Sequence, residues 1–380
     1  MLLQTLTWQE RAGWSAPWPA GMDSPTTLAV MFGSNASIAC RAAIDDVRGR
    51  LPQSVLVGCS TAGEIHDGQV QDESLSVAIA YFAGVTLRRV VLPIAHGGDS
   101  RDLGRTLGET LAGPALRAVF VLSDGLNVNG SRLTAGLNET LPDDVVVTGG
   151  LAGDGERFSA TWVLGDQGLV DRCVTAVGLY GERLRVGHGC HAGWSSFGPE
   201  RSITRSEGNV LYELDGRPAL ALYKGYLGDR AAGLPATALL FPLAIRRHGE
   251  EGQPLVRTIL GVDEAAQSLT FAGDVPQGHR ARLMRTNTES LIQSAGLAGA
   301  RAAQEFPDAG SPLSIAVSCV GRRLVLGERT EEEIESVLDA LPRKAGQVGF
   351  YSYGELSPRQ RGGVCDLHNQ TMTVTLLDEA

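Results

Sequence analysis

Cysteine pairs, basic clusters, long apolar runs and low-complexity tracts are all missing from this 380-residue chain. Cys40, Cys59, Cys173, Cys190, Cys319 and Cys365 are dispersed without a CxxC or CxxCH motif. That excludes a disulfide framework and covalently attached c-type haem, and reads as reduced thiols in a cytoplasmic protein. Arg183, Arg185, Arg201 and Arg205 come nearest to a basic cluster, yet they are scattered through Gly-rich sequence. With a formal charge of −10, the chain lacks the electrostatic footprint of a nucleic-acid or anionic-membrane binder. Met1 to Trp18 shows neither the basic region nor the apolar core of a signal peptide. No stretch approaches the roughly 18 apolar residues of a membrane span.

What is present is globular: 43% hydrophobic and 20% charged residues, at a length that suits two domains. The 48 glycines, about one residue in eight, point to many tight turns and backbone-lined surfaces.

The chain repeats itself. Val57-Gly-Cys-Ser-Thr-Ala-Gly-Glu64, Val147-Thr-Gly-Gly-Leu-Ala-Gly-Asp154 and Val348-Gly-Phe-Tyr-Ser-Tyr-Gly-Glu355 align without a gap, each ending in Gly and a carboxylate. An apolar strand pattern lies upstream of each: Leu28–Phe32, Ala118–Leu122 and Ile315–Val320. The strand-to-Gly separations are 33, 34 and 37 residues (Val30 to Gly63, Val119 to Gly153, Val317 to Gly354). Between strand and turn the apolar spacing is helical, as in Ile38, Ala42, Val47 and Leu51. In the last unit Thr330 and Glu333 predict a capping box. Alternating β-type runs follow each motif: Ser74–Phe82, Val174–Tyr180 and Thr371–Leu377. The expected fold is α/β, with repeated strand–helix–strand units, mixed β-sheets flanked by helices, and two domains.

Between His188 and Leu227 the pattern breaks. The first part reads as a Gly- and polar-rich loop, and Arg217–Leu227 as a helix with Pro218 at its start. A β-rich region follows over Ala238–Phe271, with a turn at 248–252 and a helix near Asn287–Gln304.

Thr148–Asp154, Asn209–Leu220, Gly349–Glu355 and His368-Asn-Gln-Thr371 together resemble the FIST family. The resemblance covers roughly residues 28 to 370. It implies an N-terminal extension at 1–27, an N-terminal FIST domain at 28–219, a C-terminal one at 220–370, and a terminal strand and tail at 371–380. It also implies a small-ligand sensory module rather than an enzyme, whose output is a separate partner. His188-Gly-Cys-His-Ala-Gly-Trp194 with Phe197-Gly-Pro-Glu-Arg201 is similar to one branch, the haem-binding nitric-oxide sensors that act on a histidine kinase. A sensor of amino acids or other metabolites without haem is the alternative.

A b-type haem asks for an axial donor, apolar walls and basic partners for its propionates. His188 is the candidate for the iron, with His191 as substitute. Trp194 and Phe197 are candidates for the walls, and Arg201 and Arg205 for the propionates. A histidine capping a loop accounts for His188 as well. His188, Cys190 and His191 as a metal trio is a weaker reading, since adjacent ligands seldom close a tetrahedral site.

Of the Gly-acid turns, repetition favours a structural role for at least two. Asp154 and Glu355, beside Tyr351 and Tyr353, are the candidates for a ligand pocket. Cys59 invites a hydrolase reading, with His66 or His368 as base, but its equivalents are Gly149 and Phe350, so a small buried residue is expected there. Asp215 reads as a turn former or helix cap.

Overall fold

The computed structural model describes all residues except 36–37, 248, 250–253 and 307–309. The turn expected at 248–252 therefore falls, apart from Gly249, outside the described residues.

The three motifs belong to three units of one ring. The first unit runs β1 (Leu2–Gln9), β2 (Gly13–Trp14), β3 (Thr27–Gly33), α1 (Ile38–Arg50), β4 (Val55–Ser60), β5 (Glu64–His66), β6 (Gln69–Gln71) and β7 (Ser74–Tyr81). The second runs β8 (Thr86–Pro93), α2 (Ser100–Leu111), β9 (Leu116–Ser123), α3 (Gly130–Thr140), β10 (Val146–Leu151), β11 (Val163–Gly165), β12 (Gly168–Val170) and β13 (Cys173–Tyr180). The third opens with β14 (Leu184–His191) and is then interrupted by an inserted domain.

That insert comprises β15 (Ser195–Glu207), β16 (Val210–Leu214), β17 (Arg217–Pro218), α4 (Ala219–Leu227), β18 (Leu243–Arg246), β19 (Leu255–Arg257), β20 (Ile259–Asp263), β21 (Ser268–Phe271) and β22 (Arg280–Arg285). The third unit resumes with α5 (Thr288–Ala303), β23 (Leu313–Cys319), α6 (Val320–Leu326), α7 (Thr330–Asp339), β24 (Gly346–Ser352), β25 (Gly354–Pro358), β26 (Cys365–His368) and β27 (Met372–Glu379).

Each unit builds its own sheet in the same way. A parallel pair (β3/β4, β9/β10, β23/β24) is flanked by an antiparallel strand (β7, β13, β27), which pairs in turn with the unit's first strand (β1, β8, β14). The parallel pairs are buried on both faces, which is why their sequences are apolar runs without alternation. Residues 1–27 thus contribute β1, paired along its length with β7.

The units are locked together by exchange. The β5–β6 hairpin of the first adds to β24 of the third, the β11–β12 hairpin of the second to β4 of the first, and the β25–β26 hairpin of the third to β10 of the second. The motif turns close the same circle through the backbone. Ala62 donates to the Tyr351 carbonyl at 2.8 Å, Gly153 to that of Ser60 at 3.0 Å, and Tyr353 to that of Leu151 at 3.1 Å. Inside the ring, Phe32 and Phe350 stack at 4.7 Å within a core that all three units share.

Three local expectations need correction. The stretch from His188 read as a loop is strand: β14 followed, after Ala192–Trp194, by β15. Its glycines are there for close packing, because a Cβ on Gly189 would lie 1.9 Å from the Ala298 carbonyl oxygen, and one on Gly187 2.2 Å from that of Ala302. Helix α5 meets them with the small residues Ala298 and Ala302. The capping box is also absent. Arg329 holds the cap position of α7, the Thr330 hydroxyl donates to the Gly327 carbonyl, and Glu333 points inward to pair with Arg322. The helix predicted from Arg217 starts at Ala219, with Pro218 as its cap residue.

The inserted domain is an eight-stranded antiparallel sheet with α4 on it, and has its own core around Leu211, Leu220, Tyr223, Leu269 and Phe271. Residue 220 lies inside this domain. Asp215 forms the turn between β16 and β17, with φ +50°. Among the described residues, no helix is long and apolar enough to cross a membrane.

Candidate ligand cavity between the ring and the inserted domain

The chain leaves the ring at Ala192–Trp194 and returns at Thr286–Asn287, and both joints are gripped. The Thr286 hydroxyl donates to the Gly193 carbonyl at 2.7 Å, and the Trp194 indole donates to that of Gln370 at 3.0 Å. Arg322, fully buried, donates to the carbonyls of Ala192 at 2.6 Å and Leu291 at 2.9 Å, and its Nε donates to Glu333 at 2.6 Å. Glu333 also accepts from the Tyr351 hydroxyl at 2.8 Å and from Ser318 at 3.2 Å. Farther along the interface, Arg257 of the insert reaches the Leu367 carbonyl at 2.8 Å, and burial lowers its guanidinium to about 10.

Between these tethers the domains line an open-mouthed cavity of about 430 Å³. The ring supplies Phe158, Val320, Leu324, Tyr353 and Asn369, and the insert supplies Leu234, Leu239, Thr258 and Leu260. The walls are apolar, but two polar side chains on them have nothing to bond. Asn369 is 1% exposed and neither Oδ1 nor Nδ2 has a partner; Thr258 is 4% exposed and its hydroxyl has none. Leaving such groups unpaired costs on the order of 1–3 kcal/mol each, a cost that a hydrogen-bonding molecule at this place removes. A wider cleft of about 600 Å³ adjoins through Glu156, Val320 and Leu324. It is more highly charged, and its arginine, Arg323, is already held by Asp72 at 2.7 and 2.8 Å.

Of the expected pocket residues, Tyr353 lines the cavity. Its hydroxyl donates to the Gly155 carbonyl at 3.1 Å, and burial raises it to about 12. Asp154 stands behind it. Burial opposes its charge, but Arg157, Ser159 and the Ala160 amide together hold its carboxyl below the usual range. This clasp shapes the segment that carries Phe158. Glu355 and Tyr351 do not line the cavity. The Glu355 oxygens accept from Ser352 at 2.8 Å and from the Thr371 hydroxyl and amide at 2.7 and 3.2 Å. Glu64 is held in the same way, by Thr61 and by the Ser74 hydroxyl and amide at 2.9 and 3.0 Å. Burial pushes both acids up to about 7.

The residues expected around a haem are spread out. His188 and His191 fall three apart on β14 and so face opposite sides. Each keeps a buried Nδ1 without a partner. His188 borders a separate cavity of about 490 Å³ with Arg117, Arg301 and Arg361, and burial, then those last two cations, depress it to about 4. Trp194, Phe197, Arg201 and Arg205 are not among the described residues that border it. The Phe197 ring lies under Arg285, Arg201 pairs with Asp215, and Arg205 pairs with Glu213 while lying over Tyr212. Among the described residues, no three His, Cys, Asp or Glu side chains converge as metal ligands. Cys59 is fully buried, and burial pushes its thiol well above the ordinary value, away from the thiolate a nucleophile needs.

Sequence reasoning missed Asn369, Thr258 and Phe158. Asn369 did lie in the His368–Thr371 segment, whose polar residues between two strands were a signal; Thr258 and Phe158 carried none.

A ring of three exchanged units thus meets a second domain across a largely apolar cavity whose walls carry two unpartnered polar side chains. The FIST N domain matches residues 27–217 and the FIST C domain residues 219–358. The chain belongs to the FIST family, whose domains are small-ligand sensors of signal transduction. The two matches meet inside the inserted domain, on either side of Pro218 at the end of β17. The chain is also similar to an uncharacterized protein of Methanocaldococcus jannaschii, with 25% identity over 239 residues, 56% of this chain and 45% of that protein. The match thus spans less than half the length of that relative.

Proposed function

We propose that this protein senses a small metabolite in the cavity between ring and insert, and reports it by changing how the insert is held. One observation carries the reading: Asn369 from the ring and Thr258 from the insert are both buried, both unpartnered and both on the walls of one cavity. A ligand bridging them interacts with both domains at once, which is the differential contact a two-state sensor requires. The route outward is short. Val320 and Gly321 line the cavity, and the next residue, Arg322, holds the joint at Ala192; Asn369 is followed by Gln370, whose carbonyl holds Trp194. The receiver of that change is a separate signalling protein; a histidine kinase is the class implied by the resemblance to the haem-binding branch.

A thermal-shift screen of metabolites against the wild type and Leu260→Trp tests this. Leu260 sits on the cavity rim, 47% exposed, so the indole fills the space without disturbing a core. A metabolite that stabilises the wild type but not the variant supports the reading. Hits that stabilise both equally place the ligand elsewhere and sink it.

A second reading, a haem b sensor of nitric oxide, is favoured by the free Nδ1 of His188 next to Arg301 and Arg361. Haem would supply an iron that takes the gas; His188 would hold it, and its propionates would have to draw Arg361 from Glu305 and Arg301 from the Cys190 carbonyl. A Soret band after haem addition that disappears in His188→Ala supports this reading, and a wild type with no band removes it.

A further inference from the structure

The cavity is selective about charge. Among its described lining residues there is no Arg, Lys or His, and Glu156 at the mouth is acidic. An anionic ligand would lose its hydration and meet no counter-charge. The floor is selective about hydrogen bonding as well. Asn369 presents an unpartnered carbonyl oxygen and an unpartnered amino group. A carboxylate satisfies the amino group but sets an anionic oxygen against Oδ1. An ether satisfies the amino group only, and an alcohol, though it both donates and accepts, does so through a single oxygen that aligns poorly with both atoms at once. A group with adjacent N–H and C=O satisfies both in one cyclic pair. The wall completes the description: Phe158 and Tyr353 stack with centroids 4.3 Å apart, and Leu234, Leu239 and Leu260 stand across from the ring's side. Flat apolar rings suit such surfaces.

Resting on the cavity as the ligand seat, we infer that it takes a neutral, flat ring bearing a lactam or cis-amide edge, which Asn369 reads with two hydrogen bonds while Thr258 supplies a third from the insert. The unpaired amide is then a specificity device. It destabilises the empty protein and rejects ligands lacking the matching edge, as buried polar groups left unpaired do in other sites.

The test uses the full chain and calorimetry with three probes: 3,4-dihydroquinolin-2-one as neutral lactam, its N-methyl derivative, and 2-naphthoate. The expected order is lactam, then the N-methyl compound about a hundredfold weaker from losing the paired edge, then naphthoate with no measurable binding. In Asn369→Leu the lactam and its N-methyl derivative should bind equally, and the empty variant should melt higher than the wild type. Thr258→Val serves as the second variant, with a several-fold loss for the lactam expected. Equal affinities for the lactam and N-methyl compounds in the wild type overturn the inference, as does preferred binding of naphthoate or no binding of the lactam. Probes that bind Leu260→Trp as well as they bind the wild type overturn the cavity itself, a different outcome from a wrong choice of ligand class.

Discussion

The ring of Phe158 lies on that of Tyr353, with centroids 4.3 Å apart and planes 14° apart. The first residue is 46% exposed and has φ +48°; the second belongs to the third motif turn. A large aromatic residue held in a left-handed conformation and left half in water contributes little to the fold. Its place beside the cavity gives it another use.

Phe158→Ala should therefore separate binding from stability. Ligand affinity is expected to fall about tenfold or more, for the loss of one aromatic contact surface, while the unfolding free energy in urea moves by less than about 0.5 kcal/mol. Asp154→Asn should weaken binding in the same direction by loosening residues 157–160, since its carboxylate holds Arg157, Ser159 and the Ala160 amide. Calorimetry and equilibrium unfolding on the same samples check both. An unchanged affinity in Phe158→Ala would detach this pair from the site.

Arg322 and Glu333 make the second test. Both side chains are fully buried and paired, and Arg322 holds the joint into the insert. Removing one partner leaves an uncompensated charge, so Glu333→Gln and Arg322→Met should each cost about 3–5 kcal/mol. The double change to apolar residues should recover much of that loss while altering the joint, where Ala192 loses its donor. Urea unfolding measures the cost, and limited proteolysis at Ala192–Trp194 measures the joint. Additive losses in the double variant would show that the two residues do not act as a pair.

The ring was largely legible in the sequence because its signals are local and repeated. Apolar strands at Leu28, Ala118 and Ile315, a helix after each, and a Gly-acid turn recurring at similar distances mark the same unit three times. What stayed hidden depends on contacts far along the chain. The glycines at 187 and 189 looked like loop residues because the helix that needs them begins about a hundred residues later. Glu333 sits three after Thr330, as a capping box requires, and only the fold brings Arg322 to it. Thr258 and Asn369 are 111 residues apart and share a cavity only when the insert folds back on the ring. The expected site at His188–Arg205 dissolved for the opposite reason: residues close in sequence are carried apart by two extended strands.

Two glycine substitutions test the packing account, with opposite signs. Gly189→Ala places a methyl group 1.9 Å from the backbone oxygen of Ala298, so α5 must move off β14. A loss above about 3 kcal/mol is expected, the scale of a strongly overpacked core. Gly225 lies exposed within α4, and a methyl group added there would meet nothing within 4 Å, so Gly225→Ala should stabilise by about 0.5–1 kcal/mol through helix propensity. Thermal and urea unfolding of the two variants decide it. A tolerated Gly189→Ala would mean that the close contact of helix and strand is not what those glycines serve.

Two buried acids tie stability to pH. Burial pushes Glu64 up to about 7 from an ordinary 4.5, although Thr61 and Ser74 donate to it and pull it back. Glu355 stands at about 7 for the same reason, against Thr371 and Ser352. A folded acid with a raised value keeps a proton that the unfolded chain gives up, so the protonated form favours folding. This contribution is fully present below about pH 4.5 and is lost as pH rises through about 7, amounting to roughly 3 kcal/mol for each acid. Glu64→Gln mimics the protonated form and does not titrate. Relative to the wild type it should be close to neutral at pH 4.5 and stabilising by up to roughly 3 kcal/mol at pH 8.5, with most of the change falling between about pH 4.5 and 7. Histidines held neutral by burial, such as His188 and His368 at about 4, slope the other way in acid, so the difference between variant and wild type is the quantity to measure. Urea unfolding at a series of pH values gives it directly. A difference that stays constant from pH 5 to 8.5 would mean that Glu64 is ionised throughout, with its three donors outweighing its burial.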